Sequence, residues 1–195
     1  MKITRTKIPI EISARHVHLS QRDLERLFGK GYNLKVLYPI SQPGQFAAKE
    51  EVELINGPEK LKARILGPVR KNTQIEVSIT DSFRLKFNST PKIKLSGNLN
   101  DSGFIVLEGP KGKVKTNGVI IAKRHLHLSE SEAKKLNLKD GQNVKIKIMG
   151  ERGLIFDNVI VRAGEGNKFA FQIDTDEGNA AGISNKTKTY GELIS

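Results

Sequence analysis

The sequence has no cysteine and no tryptophan. Without thiols there are no disulfides, no thiolate metal ligands and no cysteine nucleophile, so a bound metal must be held by imidazole, carboxylate or amide groups. No apolar run approaches the roughly 20 residues that span a bilayer as a helix, which argues against a membrane protein. The segment 1–7 lacks the apolar core and small-residue cleavage site of a secretory signal, so a cytoplasmic protein is expected. Acidic residues are in the minority, with Asp and Glu at 21 against 33 Lys and Arg, giving a formal net charge of +12. That surplus suits an anionic partner, whether nucleic acid, a membrane surface or a polyphosphorylated metabolite, and the sign alone does not choose. Aromatics are also few, Phe 8 and Tyr 3. The lysines are scattered rather than blocked, so a base-stacking platform lacks its parts and no nucleic-acid partner is expected.

What is present is ordinary for a globular protein, 37% hydrophobic and 28% charged. Histidine is the exception, because the four of them fall in two copies of one phrase, Arg15-His16-Val17-His18-Leu19-Ser20 and Arg124-His125-Leu126-His127-Leu128-Ser129. On a β-strand, residues two apart share a face, so His16 and His18 can converge on one ion, as can His125 and His127. Imidazole suits Zn, Cu, Fe, Co or Ni, and a pair needs a third protein ligand to make an open catalytic site.

A chain of 195 residues accommodates one domain or two of about 100 residues, and phrases starting at residues 15 and 124 favour two. Most of the chain reads as short strands separated by turn signals, with a brief helix after each histidine phrase. The expected fold class is mainly β, an internal duplication of two similar small β-barrels each capped by a short α-helix. The first helix runs from Ser20, its cap, to Phe28 before Gly29, and the second from Ser129 to just short of Lys139-Asp140-Gly141. Alternating strands cover Glu51 to Ile55 and Val144 to Ile148. The stretch 88–103 and the cluster 109–118 are hinge or hairpin loops. Periodicity leaves open which barrel the strand Ile8 to Ser13 joins.

After Thr73 the chain alternates strictly, with Gln74, Glu76 and Ser78 on one face and Ile75, Val77 and Ile79 toward the core. Glu76 completes a His2Glu set with His16 and His18, which binds zinc and leaves a position for substrate. Arg70 follows the tight Gly67-Pro68 turn, where a guanidinium can be held rigidly against a phosphate. The string Asp174-Thr175-Asp176-Glu177-Gly178-Asn179-Ala180-Ala181 reads as a loop entering a short helix, with Thr175 or Asp176 as cap.

These strings together resemble the phosphotransacylases of the propanediol-utilisation type, the metal-dependent phosphate propanoyltransferase family. The resemblance rests on both R-H-x-H-L-S phrases, on Leu66-Gly67-Pro68-Val69-Arg70 leading to Gln74-Ile75-Glu76-Val77-Ser78, and on Asp174-Thr175-Asp176-Glu177 with Asn179-Ala180-Ala181. It implies two barrels, residues 14–123 and residues 1–13 with 124–195, with two divalent metal ions, taken as zinc, and coenzyme A in the cleft between them. It further implies that His16, His18 and Glu76 hold the first zinc, that His125 and His127 belong to the second, and that Arg70 holds phosphate. The positions matching coenzyme A contacts are Ile12, Ser13, Ala14, Lys60, Arg64 and Asn179. One departure stands out: where the family has a third histidine two residues before the Asp-Thr-Asp string, this chain has Gln172. A glutamine oxygen is a harder, weaker zinc ligand than imidazole. The second site is therefore expected to bind metal weakly, to take a different ion, or to recruit a nearby carboxylate.

The activity implied is acyl-CoA plus phosphate going to acyl phosphate plus CoA, acetyl or propanoyl, by direct attack of phosphate on the thioester with metal assistance. Two alternatives stay open: a non-catalytic relative that keeps coenzyme A or metal binding but has lost the second metal, and a metal-dependent hydrolase using bound water. A homodimer is the oligomer allowed for. With the first strand starting near Ile8, no microcompartment-targeting extension is expected.

Overall fold

The computed structural model describes residues 3–183 and 188–194. In chain order the elements are β1 (Ile3–Ser13), β2 (His16–His18), α1 (Gln21–Phe28), β3 (Val36–Pro39), β4 (Phe46–Asn56), β5 (Glu59–Gly67), β6 (Gln74–Glu76), α2 (Ile79–Arg84), β7 (Ile93–Lys94), β8 (Gly103–Gly109), β9 (Gly112–Ala122), β10 (His125–Leu128), α3 (Glu130–Leu136), β11 (Asn143–Ile148), β12 (Leu154–Ala163), β13 (Ala170–Asp174), α4 (Thr175–Ala180) and β14 (Tyr190–Ile194).

The strands close into two six-stranded circuits. One runs β4, β5, β2, β6, β9, β8 and back to β4, with β3 and β7 attached beside β4 and β9. The other runs β11, β12, β10, β13, β1, β14 and back to β11. The two match strand for strand in direction: each histidine strand has a parallel neighbour, β5 or β12, and an antiparallel one, β6 or β13. The duplication is thus a repeat of topology as well as of motif. Closure leaves no free sheet edge within each circuit, which is how small β domains avoid unpaired backbone groups.

The chain divides into two compact units, Ala14–Ala122 and the described residues on either side of that span. The strand that leads into the first histidine phrase, β1, pairs with β13 and β14 in the circuit of the second phrase. Reciprocally, β9, which leads into the second phrase, pairs with β6 in the circuit of the first. Each unit has its own core. In one, Val17, Leu19, Ile65, Ile75 and Val119 are buried together, and in the other Leu126, Leu128, Val161, Phe171 and Ile173 are.

The helices that follow the phrases begin where their serines direct. Ser20 accepts from the Asp23 N–H and Ser129 from the Glu132 N–H, filling orphan donors of the first turn. α1 stops at Gly29, whose φ of 110° lies outside the range that side chains favour. Two further short helices differ from the sequence reading. After Glu76 the alternation ends: Ser78 caps α2, and Ile79, expected in the core, opens the helix with 38% of its surface exposed. In the string at 174–181 the cap is Asp174, ahead of the two residues expected to serve, because Glu177 three residues on completes a reciprocal capping box with it. The span 88–103 carries β7 amid loops, and 109–112 is the β8–β9 hairpin.

Gly118 lets β9 lie against the chain just ahead of β6. Its φ is 113°, and a Cβ there would stand 2.4 Å from the Thr73 carbonyl oxygen. Replacement by alanine meets both backbone strain and a backbone clash. We expect Gly118→Ala to cost at least about 2 kcal/mol, seen as a lowered melting temperature of the full chain; an unchanged melting temperature would show that β9 can move off Thr73 freely.

Candidate functional site

The first histidine pair is set by the pairing of β2. His16 lies opposite Glu76 and His18 opposite Gln74 on β6, while Val17 between them faces the core. Each imidazole uses Nδ1 on a backbone carbonyl, His16 on Ala14 at 2.9 Å and His18 on Leu66 at 3.1 Å. A carbonyl only accepts, so each Nδ1 carries a proton and Nε2 is the ring atom that could ligate a metal. His16 Nε2 stands 3.6 Å from Glu76 Oε2, and one ligand atom from each of His16, His18 and Glu76 lies within 4.8 Å of the others. All three side chains are buried.

The electrostatics separate the two rings. Burial, then the charges of His16 and Arg70, push His18 down to about 2, so it is neutral at any working pH. Burial also works against a charged His16, but the Glu76 carboxylate outweighs it and raises its pKa. A buried set of two imidazoles and one carboxylate, with Nδ1 of each ring on a carbonyl, fits a divalent cation, which would stand where the Glu76 carboxylate now favours a proton on His16.

Arg70 is tied to this set. Its backbone N–H donates to the Leu19 carbonyl at 2.8 Å, and it forms a β-bridge with Ser20 at the end of the first phrase. Its guanidinium donates to Ser96 Oγ at 3.2 Å. Gln74 Nε2 in turn donates to Glu76 Oε1 at 2.6 Å and to Ser96 Oγ at 2.8 Å, while its Oε1 accepts from the Gly97 N–H at 2.8 Å. One buried amide therefore orients both the carboxylate and the loop that meets Arg70. The alternation after Thr73 had placed Gln74 on a polar face, but with no role. A glutamine two residues from the candidate ligand Glu76 on the same strand face was the available signal; Ser96, distant in sequence, left none.

The second pair repeats the pattern with three changes. His125 lies opposite Gln172 and His127 opposite Ala170, so Gln172 occupies the position that Glu76 holds in the first circuit. His125 Nδ1 is on the Lys123 carbonyl at 2.8 Å, and the two Nε2 atoms approach to 3.0 Å. His127 Nδ1, however, is buried without a hydrogen-bond partner. The carbonyl in the position of Leu66 belongs to Arg162, and it accepts from Asn167 Nδ2 at 3.0 Å instead. Burial, then the charges of His125 and Arg162, push His127 down to about 3. Counting only histidine and carboxylate atoms, the first pair alone reaches three ligands among the described residues.

The arginine of each phrase has a matching role. Arg15 pairs with Asp81 at 3.1 Å and Arg124 with Glu177 at 2.8 Å. Both acids close the capping boxes of the short helices, α2 and α4. Each ion pair thus binds a helix start to the head of a histidine strand.

The remaining positions are dispersed over the elements. Ile12 and Ser13 end β1, and Ile12 packs on α4, where a Cβ at Gly178 would meet it at 2.6 Å. Asn179 is exposed on α4, and Ala14 is exposed at the head of its unit. Arg64 lies opposite His16 on β5; it donates to the Ala48 and Lys49 carbonyls and pairs with Glu51 at 2.6 Å. Lys60, farther along β5, pairs with Glu108 at 3.0 Å in solvent.

The family model described as phosphate propanoyltransferase matches residues 9–184. A protein of Thermotoga maritima named phosphate propanoyltransferase is 46% identical over 187 residues, covering 94% of this chain and 88% of its own. Proteins of the same name from Shewanella putrefaciens and Clostridioides difficile are 46% and 42% identical, covering 90% and 95% of this chain and 83% and 90% of theirs.

The Arg124 partner supplies a pH test. Burial pushes Glu177 up to about 7, against the opposing pull of the Asp174 N–H and Arg124. Its folded pKa lies above the unfolded value, so folding takes up a proton between the two, and rising pH across that window removes stability, by roughly 1–3 kcal/mol. Glu177→Gln has no proton to lose. Its melting temperature relative to the parent should therefore rise from about pH 5 to about pH 8. A flat difference would mean that Arg124 keeps the carboxylate ionised throughout.

Proposed function

Because the chain belongs to the phosphate propanoyltransferase family, and is thereby an acyltransferase, we propose that it interconverts acyl-CoA and phosphate with acyl phosphate and CoA, using acetyl or propanoyl groups. The observation that carries this reading is the buried His16, His18 and Glu76 set joined through Gln74 and Ser96 to Arg70.

Phosphate dianion is nucleophilic at neutral pH, so it needs no covalent enzyme intermediate, and a chain without cysteine offers no thiol for one. A phosphate oxygen attacks the thioester carbon; the C–O bond forms, the C–S bond breaks, and the sulfur leaves with the electron pair. The protein must align two anions and offset the charge that grows on the carbonyl oxygen and the sulfur. Arg70 would take phosphate in its planar fork, a role supported by the hydrogen bond from one arm of its guanidinium to Ser96. His16, His18 and Glu76 would hold one divalent cation, proposed as zinc, and His125, His127 and Gln172 a second. A cation bound there supplies Lewis-acid stabilisation of the developing negative charge.

Ile12, Ser13, Ala14, Lys60, Arg64 and Asn179 are the proposed coenzyme A contacts. The ion pairs of Lys60 and Arg64 are partly or largely solvent-exposed. Such pairs are worth about 0–1 kcal/mol, so exchanging a carboxylate partner for a phosphate costs little. The net charge of +12 favours bringing these polyanions in.

A second reading is a relative that binds coenzyme A or metal without turnover. It is favoured by Gln172 opposite His125 and by the unpartnered Nδ1 of His127, which leave the second pair less well built than the first.

The test is phosphate-dependent release of CoA from acetyl-CoA or propanoyl-CoA, followed with a thiol dye on protein prepared with zinc or cobalt. Release that requires phosphate and is abolished by a chelator is expected, and Arg70→Lys should lower it by about tenfold or more, since lysine keeps the charge but loses the fork. No release from folded, metal-loaded protein would install the non-catalytic reading. Release of CoA with free acid and no acyl phosphate would make the protein a hydrolase.

A further inference from the structure

The row of residues across the second barrel's histidine strand differs from that across the first in one ordered way. Side chains of residues paired across strands share a face. In the first circuit the row over β9, β6 and β2 reads Ile120, Glu76, His16. In the second the equivalent row over β1, β13 and β10 reads Glu11, Gln172, His125. Each row holds one histidine and one carboxylate, but in the second the carboxylate is one strand farther out, with an amide in between.

The amide bridges the gap. Gln172 Nε2 donates to Glu11 Oε2 at 3.0 Å. A carboxylate only accepts, so Glu11 fixes which way the amide lies: the NH2 group faces Glu11, and Oε1 is turned away from it as the available donor atom. An amide whose N–H is held by an anion is polarised toward its oxygen, which makes that oxygen a better ligand. Charge points the same way. As ligands, two imidazoles and an amide would bring no charge of their own, and the positive Arg162 stands nearby, an unfavourable place for a dication unless an anion stands behind it.

We propose that Glu11 is the anionic positioning residue of the His125–His127 site, presenting the Gln172 oxygen as third ligand and compensating for the imidazole that glutamine replaces. The site then takes a divalent cation that accepts mixed nitrogen and oxygen ligands, such as zinc or cobalt. This rests on the two-metal reading above, and its test is kept apart from turnover.

The full chain, stripped of metal, is titrated with Zn(II) by calorimetry and with Co(II) by its visible absorption. The parent is expected to bind two equivalents. Glu11→Ala should weaken one of them by about 10–100-fold, the usual loss when a group orienting a ligand is removed, and leave the other unchanged. Glu11→Gln, which keeps the size and removes the charge, should move the same equivalent in the same direction if the alanine variant folds poorly. Gln172→His should tighten that equivalent and make it insensitive to Glu11→Ala. Two equivalents unaffected by either Glu11 substitution would overturn the inference, as would a parent that binds one equivalent while Gln172→His binds two. An inactive parent with two equivalents, one sensitive to Glu11, would sink the transferase reading and leave this inference standing.

Discussion

The candidate site depends on a three-residue strand being held in register between a parallel and an antiparallel neighbour. In β2 the only residue facing the barrel core is Val17, and in β10 Leu126 is its counterpart, both fully buried. Burying such a side chain is worth about 1.5–3 kcal/mol. Slipping the strand by one residue would expose it and turn both histidines into an apolar interior, where their ring nitrogens would lack partners. The apolar residue between the histidines therefore fixes where they point, and with it which residues on β5 and β6 they meet. In His16, His18 and His125 the Nδ1 bond to a backbone carbonyl then leaves Nε2 as the atom that could ligate a metal, while His127 lacks that bond.

Much of this was legible in sequence, because the signals were local. The phrases gave the strands, the serine caps and the helices after them, since a histidine pair at strand spacing followed by Ser and an acid three residues on encodes its own geometry. The closeness of Glu76 to the first histidine pair was legible for the same reason. The helix from Ile79 was not, because the alternating pattern runs through Ser78 without a break and only the Ser78–Asp81 capping box ends it. The capping role of Asp174 was missed likewise, since Thr175 and Asp176 are equally good cap residues and the choice falls to where Glu177 can reach back. Gln74 and Ser96 form one network only after folding brings positions far apart in the chain together.

The two barrels also show what duplication conserves and what it releases. The arginine that opens each phrase meets the acid that closes a capping box, Asp81 or Glu177, although the cap itself is serine in one case and aspartate in the other. That link is mechanical and tolerates the change. Around the second histidine pair the substitutions alter chemistry. Asn167 occupies the carbonyl that in the first barrel anchors the second ring, and Gln172 takes the place of a carboxylate.

The exchange of leading strands explains how such changes can be compensated. Glu11 and His16 are five positions apart, yet β1 serves the circuit of the second phrase while β2 serves the first. A substitution at residue 11 therefore alters the second histidine pair without disturbing the strand that carries the first. In the first circuit the equivalent position is Ile120, apolar and buried, which suits a row that already has its carboxylate in Glu76. A second carboxylate there would face Glu76 across one strand spacing, where like charges in a buried row repel and raise each other's pKa. In the second row the intervening residue is neutral, so Glu11 has no such neighbour to oppose it and an amide to hold. The neutral residue at 172 and the acid at 11 are in this sense one change, each making the other tolerable.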